Sequence, residues 1–461
     1  LAGFEAAPPS LPDRPRTVTA VEEPALPDGR VFNVRDHGAR GDELHLDQVA
    51  MQAAIDACHA AGGGVVLVPA GRYRTGTLVL RDNVRLHLAR GATLLGSTNR
   101  EHYPVPALVT AREARHIAIS GAGELDAQGQ ACPARGWRTN VLLFERCDGL
   151  TVEGVTTRNA GAWTQHYIRC RNLRLRGVTV NSPRPARNND GIDLSGCEEV
   201  RIEGCTVVSD DDALVIKSQS ADRVNRNIEL VGNRCLTYRG AFKLGTETRG
   251  TYENITCRDL TAHGAKAVEI YSVDGAAVSG VTVERVRADD ALCAVSIRLG
   301  ARLRQSWAAG EERRPGTLRG IRLRDLDVAL AERSYREVLL QHGIVDAETA
   351  NGQPEAPDDS VISGLPGHLV EDVEITGLRV RLPGGRAEAP TAEQVPERPE
   401  AYPSGGMFGP LPAFGLFIRH ARDIRLRDLS FRLAAPDVRP AIVEHDTAGV
   451  VLERLKVEGG R

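Results

Sequence analysis

The chain has 461 residues, with 58 Lys plus Arg against 61 Asp plus Glu and a formal net charge of −3. That balance leaves no basic footprint for nucleic acid and no cationic face for anionic lipid, and no run of about 18 apolar residues is present to cross a membrane as a helix. Hydrophobic residues make up 41% of the chain but aromatics only 4%, so there is enough apolar material for a large core, and aliphatic side chains must fill it.

Residues 1–30 are Pro-rich and polar, as in AGFEAAPPSLPDRPR, and are expected to form an N-terminal extension. The stretch resembles the exposed start of a mature exported chain, so a secreted or periplasmic location is expected. Residues 31–461 are expected to be one catalytic domain. A helix is predicted over 47–60, where Met51, Ala54, Ile55 and Cys58 share one face, Asp47 is the N-cap and Gly62 to Gly64 end it. It would cap the first strands of whatever follows.

From residue 150 onward a short segment recurs: LTVEGVTT (150–157), LRLRGVTV (173–180), VRIEGCTV (200–207), IELVGNRC (228–235), YENITCRD (252–259), AVSGVTVE (277–284), LRGIRLRD (318–325), VEDVEITG (370–377) and DIRLRDLS (423–430). The first six are spaced by roughly 22 to 28 residues, the length of one solenoid coil. Each alternates apolar and polar residues as a strand does. No helix-length amphipathic segment lies between them, which excludes a βαβ array. The pattern predicts an all-β fold, a single-stranded right-handed parallel β-helix with an N-terminal helical cap. The nine cysteines (58, 132, 147, 170, 197, 205, 235, 257 and 293) contain no CxxC pair and read as small buried apolar residues.

Later coils carry longer insertions, at 299–317, 333–369 and the Pro-rich 383–412, which is expected near a cleft. MFGPLPAFGLFIRH (407–420) brings Met407, Phe408 and Phe414 into an aromatic-poor chain. They either fold over the cleft, which would favour exo-action, or pack into the core.

The chemistry concentrates in NNDGID (188–193) and SDDDALVIKS (209–218). Asp190 and Asp211 are 21 residues apart, close to one coil, so Asp190, Asp211 and Asp212 are expected to converge on one wall. Three carboxylates this close cannot all ionise freely, and a raised acid beside an ionised base is the pair glycoside hydrolysis uses. Turn capping by Asp side chains and a calcium site are the competing readings.

NNDGID with DDALVIKS resembles the paired NTDGID and DDCIAIKS signatures of glycoside hydrolase family 28, the polygalacturonases and rhamnogalacturonan hydrolases. FNVRDHGARGDELHLDQVAMQAAIDAC (32–58), GGGVVLVPAGRYRTGTLVLRDNVRLHLARGATLLGS (62–97) and ISGAGELDAQG (119–129) are similar to that family's first coils. The resemblance implies inverting hydrolysis of an α-linked pectic glycan without a cofactor or metal. It makes Asp211 the general acid and Asp190 and Asp212 the pair that activates water. Asn188 and Trp163 fall on the family's substrate side.

The chain departs from the family after these motifs. TYRGAFKLGTET (237–248) lacks the family's histidine, with Arg239 in that region and Lys243 at a serine position. AVEIYS (267–272) puts Glu269 and Tyr271 where the family has Arg and Lys. A carboxylate facing Glu269 would be repelled, so a neutral sugar of the rhamnogalacturonan type fits this position better. His263 and Lys266 are the weaker candidates for the missing cationic groups. Strand alternation points Asp193, Lys217, Lys243, Glu269 and Arg298 away from the core, and their spacing suggests one exposed charge ladder. Either the ladder is a solvated structural feature, or Lys217, Lys243 and Arg298 reach a substrate carboxylate. The alternatives are another β-helix carbohydrate enzyme, a lyase or epimerase, or a non-catalytic glycan-binding β-helix.

Overall fold

The computed structural model describes residues 29–131, 137–182, 188–304, 307, 309–341 and 356–459. The recurring segments stack directly on one another in parallel register. Leu150, Leu173, Val200, Ile228, Ile255, Val281, Ile321, Val373 and Ile424 form one continuous file. A second sheet carries the site. Its strands are β1 (Asn140–Glu145), β2 (Gln165–Ile168), β3 (Ile192–Ser195), β4 (Leu214–Ser218), β5 (Gly240–Thr248), β6 (Lys266–Ser272), β7 (Cys293–Leu299), β8 (Val361–Ser363) and β9 (Leu416–Ala435). Each pairs in parallel with the next. A parallel strand returning through a crossover makes a right-handed coil, so the predicted right-handed β-helix is the fold.

Between the sheets the core is aliphatic. Leu194, Ile216, Leu244, Ile270, Ile297, Ile362 and Ile418 stack in file, all buried. This is why so few aromatic rings are needed. Cysteines 58, 147, 170, 197, 205, 235, 257 and 293 are free and buried, as expected of small apolar residues; Cys132 lies outside the described residues.

The cap helix runs Gln48–Ala60 and buries Met51, Ala54, Ile55 and Cys58. Asp47 occupies the N-cap position, but its side chain makes no cap hydrogen bond. The carboxylate accepts from the backbone N–H groups of Arg40 (2.7 Å) and Gly41 (3.0 Å) instead, tying down the preceding turn. The N-terminal extension lies almost wholly outside the described residues.

The insertions are more ordered than their composition suggests. Within 333–369 a helix spans Tyr335–Gln341 and β8 follows, with 342–355 outside the described residues. The Pro-rich insertion is held by two buried arginines. Arg419 donates to the carbonyls of Val395 (2.9 Å) and Pro396 (2.7 Å), and Arg298 to that of Glu397 (2.9 Å). Phe408 packs with Val361, Val395, Leu411, Ala413 and Phe417. Phe414 meets Phe431 edge-on at 6.0 Å. Of the two readings left open for these rings, core packing is the one that accounts for both phenylalanines.

Candidate active site

Asp190 and Asp212 each sit two residues before a strand of the second sheet. Because Ile192 pairs with Leu214, Asp190 stacks on Asp212, and the Gly191 N–H donates to the Asp212 carbonyl at 2.8 Å. The next coil places Gly240 in the same column, where its N–H donates to Asp212 Oδ1 at 2.9 Å. A Cβ on Gly240 would lie 2.8 Å from Glu269 Oε2 and 2.9 Å from the Lys243 Cβ. Only glycine fits there. Asp211 turns outward beside the column and accepts from Asn188 Nδ2 at 3.0 Å. The three predicted carboxylates thus line one open cleft of about 450 Å³, together with Asn188, Trp163 and Lys217.

The environments of the three differ. Burial, followed by the neighbouring Asp212 charge, raises the Asp211 carboxyl above the usual range. Burial also pushes Asp212 upward, but the ammonium groups of Lys243 and Lys217, together with the hydrogen bonds it accepts, outweigh it and leave Asp212 below the usual value. Lys243 Nζ lies 2.9 Å from Asp212 Oδ2. Asp190 is raised chiefly by burial, against the pull of Lys217 Nζ, which lies 2.6 Å from its Oδ2. Its other oxygen, Oδ1, is buried and has no hydrogen-bond partner. A carboxyl raised by burial, one lowered by two ammonium groups and a third ion-paired to Lys217 therefore meet at one place. The two buried ammonium groups stand where a hard cation would have to sit, so this donor set does not fit calcium.

The single exposed charge ladder is not what forms. Asp193 pairs with Val215, and Lys217 pairs with Ser195 one row further along; Tyr271, not Glu269, pairs with Arg298. Even sequence spacing cannot resolve neighbouring outward rows when successive coils differ in length. Nor are these charges exposed. Asp193, Lys217, Lys243, Glu269 and Arg298 point away from the core, yet each is at most 4% accessible. Lys217 is ion-paired to Asp190 and to Asp193, and Lys243 to Asp212. Glu269 accepts from the Tyr271 hydroxyl at 2.7 Å, and both lie away from the cleft lining. Arg298 donates to Ser363 Oγ and the Gly364 carbonyl, each at 2.7 Å, and anchors the insertion rather than a ligand. Arg239 flanks the cleft: its guanidinium lies 4.8 Å from the Tyr238 ring centre, and its charge acts on Asp211. Lys266 is spent on Asp358 at 2.6 Å.

Sequence reasoning missed Arg138, Asn140, His166, Thr246, Glu247 and Tyr402, all of which line the cleft. His166 sits one coil before Asp190, 4.7 Å edge-on to Trp163 and 3.0 Å from Ser195 Oγ. Burial, then the Lys217 charge, depresses it to about 3, so it is neutral. The period-two alternation around Tyr167 does mark it as outward-facing. Tyr402 comes from the Pro-rich insertion, and nothing in its local sequence signals that the chain folds back to the cleft.

A parallel β-helix bearing an open, carboxylate-lined cleft on one sheet is the class of protein this fold and site define. The chain belongs to glycosyl hydrolases family 28, whose family model matches residues 58–297, a span that contains all three cleft carboxylates. It is 26% identical over 263 residues to a probable polygalacturonase of Vitis vinifera, covering 49% of this chain and 54% of that one; the chain spans about half the length of the curated relatives it matches. In solved structures, its fold matches that of a hyperthermoactive exopolygalacturonase from Thermotoga maritima (22% identity, TM-score 0.62, 78% and 88% of the two chains). It also matches a family 28 exopolygalacturonase from Yersinia enterocolitica (17% identity, TM-score 0.68, 92% and 78%).

Proposed function

We propose that the protein is an inverting glycoside hydrolase that cleaves an α-linked pectic glycan by single displacement. One observation carries the reading: Asp211, whose carboxyl burial raises, shares a cleft with Asp212, whose carboxyl Lys243 helps to hold below the usual range. Asp211 gives its proton to the departing glycosidic oxygen. A water seated against Asp190 Oδ1 and Asp212 loses a proton to that pair as it attacks the anomeric carbon from the opposite face. Inversion needs the acid and base carboxyls roughly 6.5–9.5 Å apart.

The cleft chemistry favours a neutral sugar beside the scissile bond, as in a rhamnogalacturonan, over a run of galacturonates. Its ammonium group, Lys217, is already committed to Asp190 and Asp193. Arg138 donates to the backbone carbonyls of Gly161 (2.9 Å) and Asn188 (3.4 Å). Tyr402, delivered by the anchored insertion, walls the cleft and supports exo-action. A cell-wall polymer of this kind is met outside the cytoplasm, so the enzyme is proposed to be secreted or periplasmic. Its family relatives, a probable polygalacturonase and an exopolygalacturonase, agree with a pectic substrate.

The test is product analysis on rhamnogalacturonan and polygalacturonan fragments, with the anomer followed by NMR. Inverted monosaccharide or short products are expected, abolished in Asp211→Asn with binding retained. A retained anomer removes the single displacement; unsaturated products would mark a lyase instead.

A further inference from the structure

Asp193 is fully buried, and its carboxylate meets the Lys217 ammonium and the Asp190 carboxyl. Its charged neighbour at contact distance is Lys217, whose Nζ lies 3.1 Å from Asp193 Oδ1 and 2.6 Å from Asp190 Oδ2. A buried carboxylate that shares its ammonium with a second acid is expensive for a fold to keep, and an apolar residue of similar volume would serve packing as well or better. Glu269 makes the contrast. It too faces a cleft-side lysine, Lys243, at 3.8 Å, but it accepts from Tyr271 and has Lys266 at 3.9 Å as a second cation. Among the described residues, the cation ion-paired to Asp193 is the lysine that Asp190 also uses.

We propose that Asp193 is a positioning residue for the hydrolysis: by sharing Lys217 with Asp190, it keeps Asp190 basic enough to take the proton of the attacking water. The inference rests on the catalytic reading of the cleft. An undivided ammonium 2.6 Å from Asp190 would lock that carboxylate in its ionised form and make it a poor base. A second anion on the far side of the same nitrogen weakens this hold. When Asp190 accepts the proton, Asp193 remains to balance Lys217, so no buried charge is stranded. The other charged or titratable groups around the pair are Glu247, 3.8 Å from Lys217 Nζ, Asp211 and Asp212 in the next coil, whose charges act on Asp190, and the neutral His166 paired in register with Asp193. Burial, against Lys217, raises Asp193 to about 7, which agrees with a lysine shared between two acids.

The test is Asp193→Asn, read in two ways. Carboxyl titration by NMR on protein labelled with carbon-13 at the Asp carboxyl groups, with Asp190 assigned from Asp190→Asn, reports on the pair whether or not a substrate is known. Removing the second anion is expected to lower the Asp190 titration by about one to three pH units. The acid limb of the kcat profile should move down with it, kcat should fall, and KM should stay within about twofold. Asp193→Glu should restore most of both. If Asp193→Asn leaves the Asp190 titration unchanged, or raises it, the inference is wrong and Asp193 is structural. Because the titration needs no turnover, absence of hydrolysis in the parent protein would refute the proposed function without touching this result. Should the Asn variant fold poorly, Asp193→Ser removes the same charge, leaves room for water, and is scored in the same way.

Discussion

The ammonium of Lys217 sits 3.8 Å from the centre of the Trp163 ring, directly over a residue that also lines the cleft. The ring completes a cage around a lysine whose acidic neighbours are Asp190, Asp193 and Glu247. A desolvated cation–π contact of this kind is worth about 2 kcal/mol. Trp163→Ala should therefore do more than remove a packing surface. Water would reach Lys217, and the lysine would lose the contact that holds it in place between Asp190 and Asp193. A loss of about 10- to 100-fold in kcat/KM is expected, with part of it in kcat. If the whole loss fell on KM, Trp163 would be a sugar platform and nothing more.

Lys243 was the sequence-based candidate for gripping a substrate carboxylate. Its buried contact with Asp212 predicts a different phenotype. Lys243→Ala leaves Asp212 buried without its principal cation, so burial takes over and the Asp212 pKa rises. The acid limb of the rate profile should move to higher pH and kcat should drop by about 10² or more, while KM on an acidic oligosaccharide stays nearly constant. Thermal stability should fall as well, since breaking a buried pair strands its partner. A large rise in KM with kcat preserved would return Lys243 to the substrate.

The contrast between these lysines and the carboxylates marks what the sequence could tell. The repeat fixed which strands stack because each run alternates with period two, and the file from Leu150 to Ile424 follows from that alone. The carboxylates were legible because they lie immediately before strands, where one coil's offset is preserved. The roles of Lys217, Lys243 and Arg298 were not. Alternation says that a side chain leaves the core, but not whether another segment then covers it. The cover over Arg298 comes from residues about 100 positions later in the chain, through the Glu397 and Arg398 carbonyls. Tyr402 was invisible for the same reason.

Asp210 offers a test of the cluster that needs no substrate. Burial first, and the neighbouring Asp211 charge second, raise its carboxyl to about 8, against the N–H of Asn189 that it accepts at 2.8 Å. An acid that holds its proton more tightly folded than unfolded contributes fully below its ordinary pKa of 3.8, and that contribution is lost as pH rises through about 8. Asp210→Asn keeps an acceptor for Asn189 and removes the titration. The variant should match the parent in Tm near pH 4 and exceed it progressively up to about pH 8. A constant difference across that range would mean that Asp210 does not titrate in the fold.

Arg298 and Arg419 connect the Pro-rich insertion to the sheet through four carbonyls, those of Val395, Pro396, Glu397 and Arg398. Both guanidiniums are buried, and burial, with Arg419 nearby, lowers Arg298 to about 9. Such a clamp holds Tyr402 at the cleft without touching the three cleft carboxylates. Arg298→Leu removes its charge-assisted hydrogen bonds to Ser363, Gly364 and Glu397, each worth about 1.5–3 kcal/mol, and only part of that is regained by apolar burial. A clear fall in Tm is expected, with proteolytic cleavage appearing first within 383–412. The acid–base limbs of the rate profile should not move, because Asp190, Asp211 and Asp212 keep their neighbours. If the insertion is what restricts the enzyme to chain ends, the loosened variant should release internal fragments from a long pectic polymer earlier than the parent does. An unchanged product distribution in a variant whose insertion has become protease-sensitive would mean that the end of the cleft is closed by something other than this segment.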